Sequence, residues 1–257
     1  MSAADVSEDA FLGGRVRVLQ PKTGYRAGLD AVLLAASAPF DATRACRVLD
    51  VGAGVGTVGL CLAARCPLAT VTLLEREPAL VELARRNVAL NGFAGRVRVV
   101  NAAVGSTADH LSELDVRADG FDTVFANPPY HAHGRGTLAP DALKAASHAM
   151  PDAALDDWVR FMARMAAPGG TATMVHKADA LPAILAAFDR RFGDVRVLPL
   201  HPREGEPASR VIVQGIKGSR APMVLLQGVV LHKAEGHGFT RAAQAVLRDG
   251  AGMALRM

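Results

Sequence analysis

The strongest constraint on the fold is a glycine turn set between an apolar strand and an apolar helix. Arg47–Val51 reads as a β-strand, and Asp50-Val51-Gly52-Ala53-Gly54-Val55-Gly56 follows it directly into a helical stretch, Thr57–Cys66. Glycines at a strand-to-helix junction let the backbone approach a ligand closely, and the helix start supplies unpaired N–H groups. The same strand–helix unit recurs along the chain. Strand Thr70–Leu74 precedes helix Pro78–Asn91, and strands Val97–Val100 and Thr123–Ala126 follow. Helix Ala154–Ala167 ends at Pro168-Gly169-Gly170, ahead of strand Thr171–Val175, helix Leu181–Phe192 and strands Val195–Leu200 and Arg210–Gln214. Short apolar strands alternating with helices of this length predict parallel βαβ units, with the sheet covered on both faces. The last two strands have no helix between them, which predicts an antiparallel pair at one edge.

The flanking segments read differently. An apolar helical stretch, Ala27–Ala38, is stopped by Pro39 before the first strand of the α/β pattern. The tail Gly218–Met257 offers a strand-like Val224–Leu231 and a helix near Thr240–Leu247. The organisation expected is one globular unit in three parts. Residues 1–45 are a strap or lid, 46–217 are the α/β domain, and 218–257 are an appendage.

Composition excludes several classes. With 50% hydrophobic and 21% charged residues in 257, the chain can bury a full core. No apolar run is long enough to cross a bilayer, and the acidic N-terminus lacks the form of a secretory signal. Cys46, Cys61 and Cys66 form no CxxC pair, so neither a disulfide framework nor a cysteine zinc site is expected. The expectation is a cytoplasmic protein with no metal. Residues 1–130 carry 13 Lys and Arg against 14 Asp and Glu, whereas residues 131–257 carry 16 against 11. The positive charge is thus in the second half, which suits a polyanionic partner without requiring one.

Ligands of open α/β sheets bind at the carboxyl ends of the strands. An acid two places before the first glycine, and a glycine at position 56 with Thr57 where the dinucleotide pattern GxGxxG would have its third glycine, make the turn DxGxGxG, the S-adenosylmethionine form, in which no pyrophosphate is held. Asp50 is then free to face the cationic methionine end. Glu75 ends the second strand about 20 residues on, where a carboxylate accepts from ribose hydroxyls. Gly52, Ala53, Gly54, Gly56 and Arg76 complete this cradle. The third strand runs into Asn101-Ala102-Ala103, with Ala103 where an acid for the adenine amino group is expected, so Asn101 or the backbone must substitute.

Strand Thr123–Ala126 ends in Asn127-Pro128-Pro129-Tyr130. A residue before proline is held extended and each proline fixes its own φ, so the Asn127 side chain and the Pro128 carbonyl are aimed rigidly. Two acceptors facing one planar NH₂ group position a poor, delocalised nucleophile and favour the charge that develops on it. Tyr130 offers a ring for stacking. In the segment before the first strand, Tyr25, Arg26 and Asp30 are further candidates to touch the cofactor. Lys22, Lys177, Arg203, Arg210, Lys217 and Arg220 are candidate phosphate contacts, and His131, His133 and Arg135 follow the tetrapeptide closely.

On these residues the chain resembles class I S-adenosylmethionine-dependent methyltransferases, and more narrowly the bacterial tRNA adenine-N6 methyltransferases that act beside the anticodon of a valine tRNA. Gln20-Pro21-Lys22, Gly24-Tyr25-Arg26, Asp30-Ala31-Val32-Leu33-Leu34-Ala35, the glycine turn and Glu75 carry the resemblance. So do Arg86-Asn87, Asn91-Gly92, Asn127-Pro128-Pro129-Tyr130, Pro168-Gly169-Gly170, Pro202-Arg203, Ser209-Arg210-Val211 and the tail run His232–Thr240. Leu29, Ala103 and Phe239 depart from it. The resemblance implies a Rossmann-like, mostly parallel seven-stranded sheet with an antiparallel edge strand and helices on both faces. It implies that Asp50, Gly52, Gly54 and Glu75 hold S-adenosylmethionine, that Asn127 and Pro128 bind the target amine, and that Tyr130 stacks on the base. The expected partner is RNA, most readily tRNA, with the protein a monomer or homodimer. The competing expectations are a protein glutamine methyltransferase, a rRNA guanine-N2 methyltransferase and a non-catalytic S-adenosylmethionine- or RNA-binding module.

Overall fold

The computed structural model describes residues 5–24, 26–39, 43–130, 152–253, 255 and 256. Strands β3 (Cys46–Val51), β4 (Ala69–Glu75), β5 (Val97–Asn101), β6 (Phe121–Ala126), β7 (Ala166–Lys177), β8 (Phe192–His201) and β9 (Arg210–Lys217) form the sheet. Two short additions, β10 (Val224–Leu225) and β11 (Val229–Val230), pair in parallel with β8. The order from one side is β10–β8–β9–β7–β6–β3–β4–β5. Only β9 runs antiparallel, and it does so to both neighbours. It therefore stands inside the sheet and not at its edge. The β8–β9 connection is a hairpin with no crossover helix, and β9 folds back into the place beside β7 that β8 leaves open.

The strands alternate, and both of their faces are apolar. Val48 and Phe125 point into the layer formed with α1 (Leu29–Ala36), α2 (Thr57–Arg65) and α3 (Pro78–Leu90). Their neighbours Leu49 and Val124 point into the other layer, with Met162 of α5 (Asp152–Met165) and Phe188 of α6 (Leu181–Phe188). A period-two pattern with no polar side is what a parallel sheet covered on both faces requires. A short helix, α4 (Ala108–Glu113), capped by the Thr107 hydroxyl on the His110 N–H, lies between β5 and β6. Helix α7 (Arg241–Leu247) is started by Thr240, whose hydroxyl accepts from the Ala243 N–H.

Ahead of the sheet stands an antiparallel hairpin, β1 (Val6–Phe11) with β2 (Val16–Pro21). Helix α3 holds it by two asparagines one turn apart. Asn87 accepts from the Leu19 N–H at 2.7 Å and donates to the Leu19 and Val55 carbonyls at 3.0 Å each. Asn91 accepts from the Arg17 N–H at 2.9 Å and donates to the Arg17 carbonyl at 2.7 Å. Side chains at i and i+4 share a helix face, so the pair bonds to β2 as a neighbouring strand would. Gln20 closes the following loop, accepting from the Ala27 N–H at 2.7 Å and donating to the Ala27 carbonyl at 3.2 Å. This loop delivers α1, and with it Asp30, to the sheet.

Candidate functional site

Neighbouring strands bring the two motifs together. Val51 of β3 pairs with Ala126 of β6, so the glycine turn and Asn127 leave the sheet side by side at its carboxyl edge. The turn is built by left-handed glycines. Gly52 has φ +64° and packs so tightly that a Cβ there would lie 2.3 Å from Cη2 of Trp158 on α5. Gly54 has φ +58°, and a Cβ on it would meet nothing within 4 Å, so its backbone faces an approach that a ligand can use. Trp158 was not singled out from sequence. A lone indole on an amphipathic helix carries no signal of what it covers.

The acids are pinned by backbone. Glu75 is only 6% exposed and accepts from the Gly54 N–H at 2.8 Å and from the Arg76 and Glu77 N–H groups at 2.8 and 2.9 Å. It thereby locks the glycine turn to the end of β4. Asp50 is buried and accepts from the Gly59 N–H of α2 at 3.0 Å, so one of its oxygens is turned inward. Burial pushes its carboxyl up to about 7, opposed by the Gly59 bond, with the Glu75 charge adding to the rise. Asn101, at the end of β5, donates to the Glu75 and Arg76 carbonyls at 2.9 Å each. Its Oδ1 accepts no bond among the described residues. The Ala102 N–H bonds the Glu75 carbonyl at 3.0 Å, and the Ala103 N–H bonds the Ser106 hydroxyl at 3.0 Å. Arg26 spends its guanidinium on Asp9, Ser7 and the Pro21 carbonyl, which makes it a fastener of its loop. Tyr25, His131, His133 and Arg135 lie outside the described residues.

Around the tetrapeptide, the Tyr130 hydroxyl lies 2.7 Å from Asn127 Oδ1 and 2.9 Å from Asp30 Oδ2. Arg210 pairs with Asp30 at 3.2 Å, and its guanidinium is 4.9 Å from the Tyr130 ring centre. His176 of β7 meets the same ring edge-on at 5.0 Å. Its Nδ1 is buried with no hydrogen-bond partner among the described residues. Burial lowers the His176 pKa to about 4, so this ring is neutral beside the tetrapeptide at neutral pH. A histidine whose folded pKa lies below its unfolded one binds protons more readily when unfolded, so its contribution to stability is lost as pH falls below about 6.5. Between pH 7 and pH 5 the wild type should lose about 2 kcal/mol more than His176→Leu. Urea midpoints at the two pH values measure this, and Asp50, which titrates in both proteins, drops out of the difference.

The basic candidates divide between two edges. Lys177 and Arg210 are register partners at the carboxyl edge, and Arg203, in the loop after β8, donates to the Gly236 carbonyl at 3.0 Å beside them. Lys22 lies in the loop between β2 and α1. Lys217 and Arg220 do not share that edge. Because β9 runs antiparallel, its far end returns to the amino edge, about 24 Å along the strand from Arg210. There Lys217 bonds Asp119 at 2.5 Å and the Ala166 carbonyl at 2.9 Å, while Arg220 lies next to Gly193 at the start of β8. A cleft of about 520 Å³ at this amino edge, lined by Arg47, Arg96, Arg98 and Arg117, is remote from both motifs. Among the described residues no group of His, Cys, Asp and Glu could hold a metal ion, and no helix is long and apolar enough to cross a membrane.

The methyltransferase small domain family matches residues 30–153. A tRNA1(Val) (adenine(37)-N6)-methyltransferase of Aeromonas hydrophila is 30% identical over 222 residues, 84% of this chain and 86% of its own length. The enzyme of the same name from Shewanella sp. (strain W3-18-1) is 27% identical over 202 residues, covering 79% and 76%. A crystal structure from Agrobacterium tumefaciens, described as a "predicted O-methyltransferase", is 33% identical, with a TM-score of 0.73 over 88% of this chain and 98% of that one. The sheet order, the two motifs at one edge and these relatives agree: the chain belongs to the tRNA1(Val) (adenine(37)-N6)-methyltransferase family of class I, S-adenosylmethionine-dependent methyltransferases.

Proposed function

We propose that this chain transfers the methyl group of S-adenosylmethionine to N6 of an adenine in tRNA. The observation that carries this is the pairing of Val51 with Ala126, which sets Asn127 and Pro128 beside the glycine turn. The residues present suit the cofactor: left-handed glycines with an open approach at Gly54, and a fixed carboxylate at Glu75. When bound, S-adenosylmethionine supplies an electrophilic methyl on a sulfonium. Gly52, Ala53, Gly54 and Gly56 shape its cradle, Glu75 accepts from the ribose hydroxyls, and Arg76 and Ala102 border the nucleoside. Asp50 contributes negative charge beneath the methionine end. The Asn101 Oδ1 takes the place of the acid absent at Ala103 and accepts from the adenine amino group of the cofactor.

On the target side, Asn127 Oδ1 and the Pro128 carbonyl accept the two N–H bonds of the exocyclic amine, Pro129 keeps that pair rigid, and Tyr130 stacks on the base. The acceptors stabilise positive charge on nitrogen as the new bond forms, and the proton leaves afterwards. An oxygen acceptor would need a base to take its proton during attack. Neutral His176, its pKa already near 4, is a poor base, and the tetrapeptide's paired acceptors match an NH₂ group. Lys22, Lys177, Arg203 and Arg210 meet phosphates from this edge. We read residues 1–45 as the strap over this site, 46–217 as the methyltransferase domain and 218–257 as an appendage to it.

The test is transfer of labelled methyl into total RNA, from a strain lacking this gene, and into total protein, with nucleoside analysis. N6-methyladenosine in the tRNA fraction is the expected product. Label in protein alone overturns the reading in favour of a glutamine side chain. Glu75→Gln should weaken S-adenosylmethionine binding about tenfold by calorimetry, because a charged acceptor of hydroxyls is lost while its size is kept. Unchanged affinity would displace Glu75 from the ribose.

A further inference from the structure

The Tyr130 hydroxyl is the middle of a four-residue chain. It stands between Asn127 Oδ1 at 2.7 Å and Asp30 Oδ2 at 2.9 Å, and Arg210 Nε donates to that same Asp30 oxygen at 3.2 Å. The members come from three places far apart in sequence: the first turn of α1, the loop after β6 and the start of β9. A phenol carries one hydrogen, so Asn127 and Asp30 compete for it. A carboxylate is the stronger acceptor, and Arg210, at once its ion-pair partner and a cation over the Tyr130 ring, holds it in place.

The destination of that hydrogen matters because Asn127 Oδ1 is the oxygen assigned above to the target amine. A hydrogen bond accepted from Tyr130 draws electron density from that oxygen and uses one of its two lone-pair directions. We propose that Asp30 is a positioning residue that takes the Tyr130 hydroxyl hydrogen, so that Asn127 Oδ1 keeps its full acceptor strength for the target NH₂ group. This rests on the reading of Asn127 as amine acceptor. It moves Asp30 from the cofactor to the target side of the site, and Asp30 acts there only through Tyr130.

The test compares the full chain with Asp30→Asn, Tyr130→Phe and the double variant, using whichever RNA or protein fraction takes the label above. An amide at position 30 can donate to the Tyr130 oxygen and thereby direct the hydroxyl hydrogen onto Asn127. Asp30→Asn should lower kcat about tenfold while S-adenosylmethionine Kd stays within about twofold. Tyr130→Phe keeps the ring and removes the competing donor, so on that background Asp30→Asn should add less than about a twofold further loss, whatever the rate of Tyr130→Phe itself. Ultraviolet titration of the chain's two tyrosines gives a readout without turnover: Asp30→Asn should lower the pKa of one phenol, because the carboxylate no longer disfavours the phenolate. A tenfold further loss when Asp30→Asn is added to Tyr130→Phe overturns the proposal, since Asp30 then acts without Tyr130. So does a weakened cofactor Kd with kcat unchanged, which returns Asp30 to the cofactor. Failure of the parent reading looks different: Asn127→Ala would then transfer methyl at the wild-type rate.

Discussion

Asn127→Ala is expected to lower methyl transfer about a thousandfold while S-adenosylmethionine binds nearly as before. The alanine removes one of two acceptors whose value lies in the charge they meet as the nitrogen is alkylated. In the ground state an aromatic amine has little positive charge, so binding of the acceptor changes less than kcat does. Single-turnover transfer, with calorimetry for the cofactor, separates the two effects. A loss confined to cofactor affinity would mean that the tetrapeptide is only a rigid end to β6.

The second large effect concerns stability. Asn87 is fully buried and serves three backbone groups, the Leu19 N–H and carbonyl and the Val55 carbonyl. Asn87→Ala leaves all three without their partner in a dry interior. The expected loss is about 3 kcal/mol, and roughly 10 °C in Tm for a chain of this size. Asn91→Ala makes a sharp comparison. It removes similar bonds to Arg17, but these lie at the surface where water replaces them, so under about 1 kcal/mol should be lost. Because Val55 belongs to the glycine turn, Asn87→Ala should also weaken cofactor binding, which Asn91→Ala should not.

The parts legible in the sequence were those written in local pattern. Alternating strands and helices gave the parallel sheet, since two-sided apolar strands have few other uses. Asp50 to Gly56 and Asn127 to Tyr130 were legible as a tight turn and a rigid strand end because glycine and proline fix the backbone wherever they stand. The hairpin of β1 and β2 was missed although Gly13-Gly14 separates two alternating runs, because charged residues such as Glu8, Asp9, Arg15 and Arg17 mask the inward-facing positions. The sequence names Lys217 and Arg220 as candidate phosphate contacts without telling which end of a strand meets the site. The antiparallel course of β9 takes them to the opposite edge. Asp30 meeting Tyr130 across 100 residues is a tertiary fact with no local signature.

The chain contains one tryptophan, and the fold sets it against the first glycine of the turn. Its emission therefore comes from a single place, and that place is the wall of the proposed cofactor cradle. The protein carries its own optical probe, free of the overlapping signals that several indoles would give. Ligand titrations and stopped-flow mixing can be followed on the unlabelled wild-type molecule, and the same signal is available in every variant discussed above.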